Sequence, residues 1–412
     1  MNMFQTAALG TAFAVLSGTT AIAGCGIGAG NVSIIANDFP AIHAITDAAK
    51  ACAGDGLTVT ANMTKEHQTL NAPGMSGNPA EYSVAVVANS SIVALLNDGL
   101  VRPLDDLIAQ YAPDLPNVNK VTVDGKVVAV AFMANAQHLF YRSDVLEKAG
   151  VAVPTTYEEV VAAADAIRAA GIMEHPVALN TGAGWNLAEE FINMYMGTGG
   201  ELFEAGSAVP TIENENGVAA LNILKSLTEY SNPDFLTFDS NATQALWEAG
   251  DTALSVMWGS RGAAVLDNEG SSEEVVSATV LAAAPTLGGG ATPATTLWWD
   301  GFTIASNVSD ADAAASFQAM MVGLGEDVVK ANQDAAVWLN PAYISTPASA
   351  GVIASAEGGA NPYPMLPYVG LMHSALGDNL AEFLQGSESA EQALADVVAA
   401  YTTSAKEKGF LQ

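Results

Sequence analysis

A chain of 412 residues is longer than one hydrophobic core usually organises, so two cores are expected, and half of its residues are hydrophobic, enough to fill them. Its 13 basic against 44 acidic side chains leave a formal charge of -31, which repels nucleic acid and anionic membranes at long range and excludes nucleic-acid binding. The acids are scattered rather than blocked, which fits a solubilising surface for a salty medium better than a cation-gathering patch.

Residues 1–23 carry no charge, Ala7 to Leu16 is largely apolar, and Ala21-x-Ala23 offers a small-residue cleavage site, so a secretory signal peptide is expected. The apolar run is short and broken by Gly and Thr, which argues against a membrane anchor. Cys25 and Cys52 are the only cysteines, and an even pair in an exported protein reads as a disulfide. If Asn31 to Ala36 is a strand and Ala41 to Cys52 the helix after it, the helix end returns beside the strand start and brings the two together. Ile22-Ala23-Gly24-Cys25 also resembles a lipobox, which would lipid-anchor Cys25 and leave Cys52 unpaired.

Val32 to Ala36 and Tyr82 to Ala88 read as buried strands. Each runs into polar residues and then a helical pattern: Asn37-Asp38 after the first, Asn89-Ser90-Ser91 after the second. Ligands of open α/β sheets sit beyond the carboxyl ends of strands, which makes Asn37, Asp38, Asn89 and Ser90 candidates, with helix capping as their other possible role. Asp124-Gly125 marks a hairpin within Val121 to Ala131. Ala131 to Tyr141 has no helical period and reads as one strand feeding two helices. Asp144 with Glu147 has capping-box spacing and Gly150 is a stop. After Pro154, Thr156 with Glu159 repeats the box before an apolar face of Tyr157, Val160, Val161, Ala164 and Ile167, ended by Gly171. Ser240 to Gly250 predicts a capped helix and Thr252 to Trp258 a strand ending at Gly259-Ser260-Arg261-Gly262. A Gly/Thr-rich connector, Gly288 to Thr296, leads to Trp298-Trp299-Asp300-Gly301 and a strand from Phe302 to Ala305. Helices follow from Asp310 to Gly323 and from Ser389, where Gln392 completes a cap.

Phe140-Tyr141-Arg142-x-Asp144, Lys148-Ala149-Gly150-Val151 and Val153-Pro154-x-Thr156-Tyr157-Glu158-Glu159 together resemble the extracellular solute-binding proteins of ABC importers, carbohydrate-type family 1. Gly77-Asn78-Pro79 and Gly99-Leu100-Val101-x-Pro103-Leu104-Asp105-Asp106 are similar to family positions in the first lobe. The resemblance implies a two-lobed α/β periplasmic binding protein fold, each lobe a sheet flanked by helices with a ligand cleft between. Lobe 1 would be 24–134 and 300–342, lobe 2 135–299 and 343–412, with crossovers near Asn135, Trp299 and Ala342. It further implies a periplasmic monomer that performs no reaction, delivers a small solute to the importer's membrane subunits and needs no cofactor.

No Walker A loop, dinucleotide fingerprint or Gly-x-Ser-x-Gly elbow occurs, and His43, His67, His138, His175 and His373 are too dispersed for a metal site. The six tryptophans carry more. Trp185, followed by Asn186, lies in a Gly-rich loop, Trp258 ends a strand, and Trp298-Trp299 sits beside Asp300 at the expected crossover, whereas Trp247 falls inside a helical pattern and reads as core. A sugar offers a C–H face that stacks on indole and a rim of hydroxyls that needs directed partners. Strand alternation sends Trp298 and Trp299 to opposite faces, so one of them should meet ligand. The resemblance casts Asp300 as a hydroxyl acceptor. Arg261 could donate to a hydroxyl or pair with surface acids. Asn135 and Gln137 fall at the first crossover, Trp338 and Tyr363 near the last. A neutral sugar is therefore the expected ligand. A polyamine held by Trp rings, Asp38 and Asp300 is the alternative, and a secreted glycoside hydrolase a third reading, for which Asp105-Asp106 and Glu189-Glu190 are the weak carboxylate pairs.

Overall fold

A computed structural model describes residues 25–54 and 56–412; the expected leader, 1–23, lies outside them. Its strands are β1 (Gly30–Ala36), β2 (Leu57–Met63), β3 (Val84–Ala88), β4 (Lys120–Val123), β5 (Lys126–Asn135), β6 (Gln137–Arg142), β7 (Val177–Leu179), β8 (Leu254–Trp258), β9 (Thr279–Ala282), β10 (Thr296–Ile304), β11 (Val337–Trp338) and β12 (Asn361–Pro362). They form two sheets. One has the order β11-β5-β10-β3-β1-β2, with β4 beside β5 and β12 beside β10; the other is β7-β8-β6-β9.

In the first sheet β1 pairs in parallel with β2 and β3, while β10 runs antiparallel to β3 and β5. Helices cover both faces, so adjacent residues such as Ile34 and Ile35 are both buried. Phe302 and Phe317 meet edge to face in this core, at 5.9 Å. The second sheet carries its own core, in which Tyr157, Ile167, Leu187, Phe191 and Tyr401 pack together. Trp247 is wholly buried in a satellite cluster there and donates its indole N–H to Thr279 at 3.0 Å.

Local chemistry explains several boundaries. Thr156 accepts from the Glu159 N–H and Glu159 reaches back, capping the helix Tyr157–Ala169. Gly150 ends the helix Ser143–Ala149 with φ 71, a left-handed conformation that suits glycine. The expected Asp144 and Glu147 box does not form: Arg142 occupies the cap position, and its guanidinium instead grips the Asp144 carboxylate at 2.8 and 2.9 Å. The Asp124-Gly125 turn, with φ of 49 and 73, closes the β4–β5 hairpin.

Two expectations are corrected. Ala131 to Tyr141 is not one strand: it divides at Ala136 into the end of β5 and most of β6, which belong to different sheets. A change of pairing partner leaves no mark on a continuously apolar sequence. Likewise the Trp298-Trp299 doublet lies within β10, not in a crossover, and the expected border at 299/300 cuts through this strand. The chain passes back from the second sheet between Ala282 and Thr296, because Trp298 and Trp299 already pair with Asn135 and Ala134.

Candidate functional site

The two sheets turn corresponding edges toward one another. In the first, the carboxyl ends of β1 and β3 lead to Asn37-Asp38 and Asn89-Ser90, and antiparallel pairing sets Asp300 opposite Ala88 at that edge. In the second, β7 runs out into the 180–185 loop, β8 ends at Trp258, and Gln137 at the start of β6 pairs with Trp258. Strand ends of parallel pairs leave backbone groups and loops free for a ligand, and here both sheets contribute them.

Four of the candidate residues gather into one aromatic wall. Trp185 lies near-parallel to Trp258 at 6.3 Å and edge-on to Trp298 at 5.6 Å, and Trp298 touches Tyr363 at 4.2 Å. Trp185 is 37% exposed, whereas Trp258 is 9%, Trp298 6% and Tyr363 1% exposed, so Trp185 presents its indole to solvent while the others back it. Gly184, with φ 94, makes the sharp turn that places Trp185 at the head of the helix Trp185–Gly197. His373, which in the sequence is only one of five dispersed histidines, supports the wall from behind. Its ring stacks on Trp185 at 4.7 Å, its Nε2 meets the Trp185 carbonyl at 2.9 Å and its Nδ1 meets the Tyr363 hydroxyl at 2.9 Å. Burial pushes the imidazole down to about 4, so it is neutral. The carbonyl requires the proton on Nε2, and Tyr363 therefore donates to Nδ1.

Asp300 is two residues along β10 from Trp298 and shares its face; Trp299 points to the other side and packs with the first lobe's core. Among the described residues no side chain or backbone donor engages the Asp300 carboxylate, and burial alone pushes it up to about 7.

Most of the other candidates bond within the protein. Asn89 spends its amide on the Leu297 and Tyr363 carbonyls, both at 3.3 Å, and on the Trp299 N–H at 2.8 Å, so it braces β10. Asn135 accepts from the Ala136 and Ser260 N–H groups at 3.0 and 3.2 Å and locks the first crossover to the turn after β8. Gln137 is buried and accepts from Asn193 at 3.3 Å. Arg261 is turned to the helix Ser240–Glu248, donating to Gln244 at 3.2 Å; burial lowers its pKa while Asp239 and Glu248 oppose that. Asp38 pairs with His43 at 2.7 Å on the surface, and Asn37 accepts the Asp38 N–H. Ser90 has a buried hydroxyl with no partner, and Asn186, next to Trp185 in the chain, is half-buried. Trp338 does not join the wall: it is 3% exposed in the first lobe's core, its N–H donated to the Asn332 carbonyl at 2.8 Å. Cys25 and Cys52 are joined in a disulfide.

Neither carboxylate pair suits hydrolysis. Asp105 accepts the Val127 N–H at 3.2 Å, and Glu189 and Glu190 are wholly buried beneath the tryptophans. No helix among the described residues is long and apolar enough to cross a membrane.

The comparisons agree with this architecture. Maltose-bound MalE3 of T. maritima superposes with a TM-score of 0.77 at 18% identity, over 90% of this chain and 99% of that one. An ABC transporter solute-binding protein of Agrobacterium vitis with bound D-mannitol gives 0.75 at 20% identity, over 92% and 99%. A probable ABC transporter-binding protein of Deinococcus radiodurans is 28% identical over 150 residues, 34% of this chain and 35% of that relative, so the match spans about a third of its length. Residues 67–325, more than half of the chain, match the bacterial extracellular solute-binding proteins, a family of binding proteins rather than enzymes, and the chain belongs to that family.

Proposed function

We propose that this protein is the solute-binding component of an ABC importer and captures a small neutral sugar or polyol between its lobes. The observation that carries the reading is Trp185: a large, rigid, part-exposed indole held in place by Trp258, Trp298 and His373, with an unpaired carboxylate, Asp300, beside it on the Trp298 face. That combination supplies a stacking face and a directed acceptor, the two things a sugar ring needs. The maltose and D-mannitol carried by the structural relatives are of the same chemistry. A ligand touching both lobes favours the closed form, which the membrane subunits would read, with bending at 135–137 and at the segments flanking β10 and following β11. The disulfide fits export to an oxidising compartment such as the periplasm. Lobe borders, monomeric state and the contact residues Asn37, Asp38, Ser90 and Asn186 belong to this proposal.

One observation favours a second reading. Asp300 has no internal cation, and an ammonium ligand would supply one. Thermal-shift and calorimetric titration with maltose, D-mannitol, ribitol and spermidine separate the two. We expect at least one of the first three to raise Tm and change tryptophan fluorescence with little dependence on salt. Binding of spermidine alone, weakening steeply as salt rises, would replace the sugar reading by the cationic one.

A further inference from the structure

Glu189 and Glu190 lie one turn into the helix Trp185–Gly197, both completely buried. Adjacent carboxyls deep in a lobe are costly, so what surrounds them matters. The Glu189 Oε1 accepts from the Thr296 hydroxyl at 2.7 Å and from the Trp298 indole N–H at 3.1 Å. Thr296 also gives its backbone N–H to Asn193 at 2.7 Å, and Asn193 donates to Gln137 at 3.3 Å. Gln137 begins β6 directly after the first crossover, and Thr296 begins β10 directly after the second. The Glu190 Oε1 accepts the Asn180 N–H at 3.2 Å, at the root of the loop that carries Trp185. One buried polar cluster thus touches the Trp298 ring, both crossovers and the Trp185 loop.

No lysine or arginine faces the pair among the described residues. The titratable neighbours are Tyr363 toward Glu189 and Tyr157 toward Glu190, with His373 behind Tyr363 and Asp300 further along the Trp298 face of β10. Each carboxyl also has one buried oxygen, Oε2, without a partner. Two neighbouring carboxylates without a counter-ion cannot both be charged, so the cluster is built for acids, not anions.

We propose that Glu189 is a positioning residue for the ligand platform: backed by Glu190, it fixes the Trp298 plane and the start of β10 against the second lobe, and ligand affinity depends on its proton. Burial pushes both carboxyls up to about 8, the neighbouring Glu190 adding to the rise at Glu189, while Tyr157 and Tyr363 are driven well above their ordinary range by burial and His373 lies far below. Asp300 titrates near 7 and is largely ionised before the pair releases a proton. Raising the pH through 8 places a charge under Trp298 and loosens the wall. The affinity consequence rests on the proposed cleft function; the optical one does not.

The test is a titration of near-ultraviolet circular dichroism from pH 6 to 9.5 on unliganded wild type, Glu189→Gln and Glu189→Ala, with calorimetry of maltose, D-mannitol and ribitol at pH 7 and 9. Glutamine mimics the protonated acid. We expect a tryptophan transition centred near pH 8 in wild type that Glu189→Gln removes without loss of Tm, and a flat but altered aromatic signal in Glu189→Ala. Wild-type affinity should fall by about ten-fold between pH 7 and 9, while Glu189→Gln stays at the pH 7 level. A featureless wild-type titration, or the same alkaline decline in Glu189→Gln, overturns the proposal. If the transition appears and vanishes as expected while none of the three probes binds, the placement of Trp298 by Glu189 stands and the sugar or polyol reading falls.

Discussion

Asp300 and Trp247 show what a single residue's surroundings decide. Both were legible in kind: a carboxylate beside a tryptophan pair, and a tryptophan on the apolar side of a helical pattern. What no sequence reveals is that Asp300 has no partner, since that depends on β3 and β5 arriving beside β10 without a donor. Trp338 failed for a related reason, because its burial comes from segments such as Asn332 that fold back over it. His373 and Glu189 were overlooked as supports because their partners, Trp185 and Trp298, are more than a hundred residues away. The raised Asp300 value has a definite sign: the folded protein keeps a proton the unfolded chain has released, so the Asp300 contribution to stability declines as pH rises from 3.8 to about 7 and is level above, beside the decline that Glu189 and Glu190 carry on to about 8. Asp300→Asn should remove the Asp300 share of that decline, leaving the share of the buried glutamates, and weaken ligand binding by about one to two decades, as a carboxylate hydrogen bond is worth roughly 1.5 to 3 kcal/mol. Trp247→Ala should do the reverse, costing about 3 to 5 kcal/mol of stability with affinity retained in the folded fraction. Calorimetric titration and thermal melts of the two variants across pH check both; unchanged affinity in Asp300→Asn would place the ligand elsewhere.

At the scale of elements, signals carried within a few residues proved legible and signals carried by pairing did not. Thr156 with Glu159 capped its helix as expected, as did Ser389 at the final helix, since a cap needs only a side chain and the N–H three residues on. Asp144 with Glu147 has the same spacing and fails, because Arg142 reaches Asp144 first and the helix starts two residues early. The division of Ala131 to Tyr141 at Ala136 was invisible for want of any compositional break, although the arrival of a second lobe there was expected. Thr156→Ala removes the side-chain acceptor for the Glu159 N–H and should cost about 1 kcal/mol. Urea denaturation checks this, with Thr156→Ser as the rescue that restores the hydroxyl. A loss confined to the alanine variant is the expected pattern, and equal loss in both would mean that the methyl packing of Thr156, not its cap, matters.

For the molecule as a whole, two cores and an acidic character were readable from length and composition, whereas the way β10 ties the lobes together was not. Its backbone belongs to the first sheet and its Trp298 to the second lobe's core, a double allegiance that only the assembled sheets display. The Cys25–Cys52 disulfide acts on one side of this arrangement. It joins the chain just before β1 to the turn after the helix Pro40–Lys50, at the end of β1 remote from Asn37 and the cleft. Closing a loop of 27 residues restricts the unfolded chain by about 3 kcal/mol on chain-entropy grounds, and nothing in the aromatic wall touches it. The paired substitution Cys25→Ser with Cys52→Ser should therefore lower the stability of the first lobe by about that amount and leave ligand affinity within two-fold. Because the lobes have separate cores, the loss should show as an earlier transition in a calorimetric scan rather than a uniform shift of the whole melt. A ligand contacting both lobes opposes the split: bound ligand should draw the two transitions back together, since unfolding either lobe then costs the binding free energy. Scans of the double variant with and without the ligand found in the screen read this directly, and two transitions that stay apart at saturating ligand would mean that the bound molecule engages one lobe only.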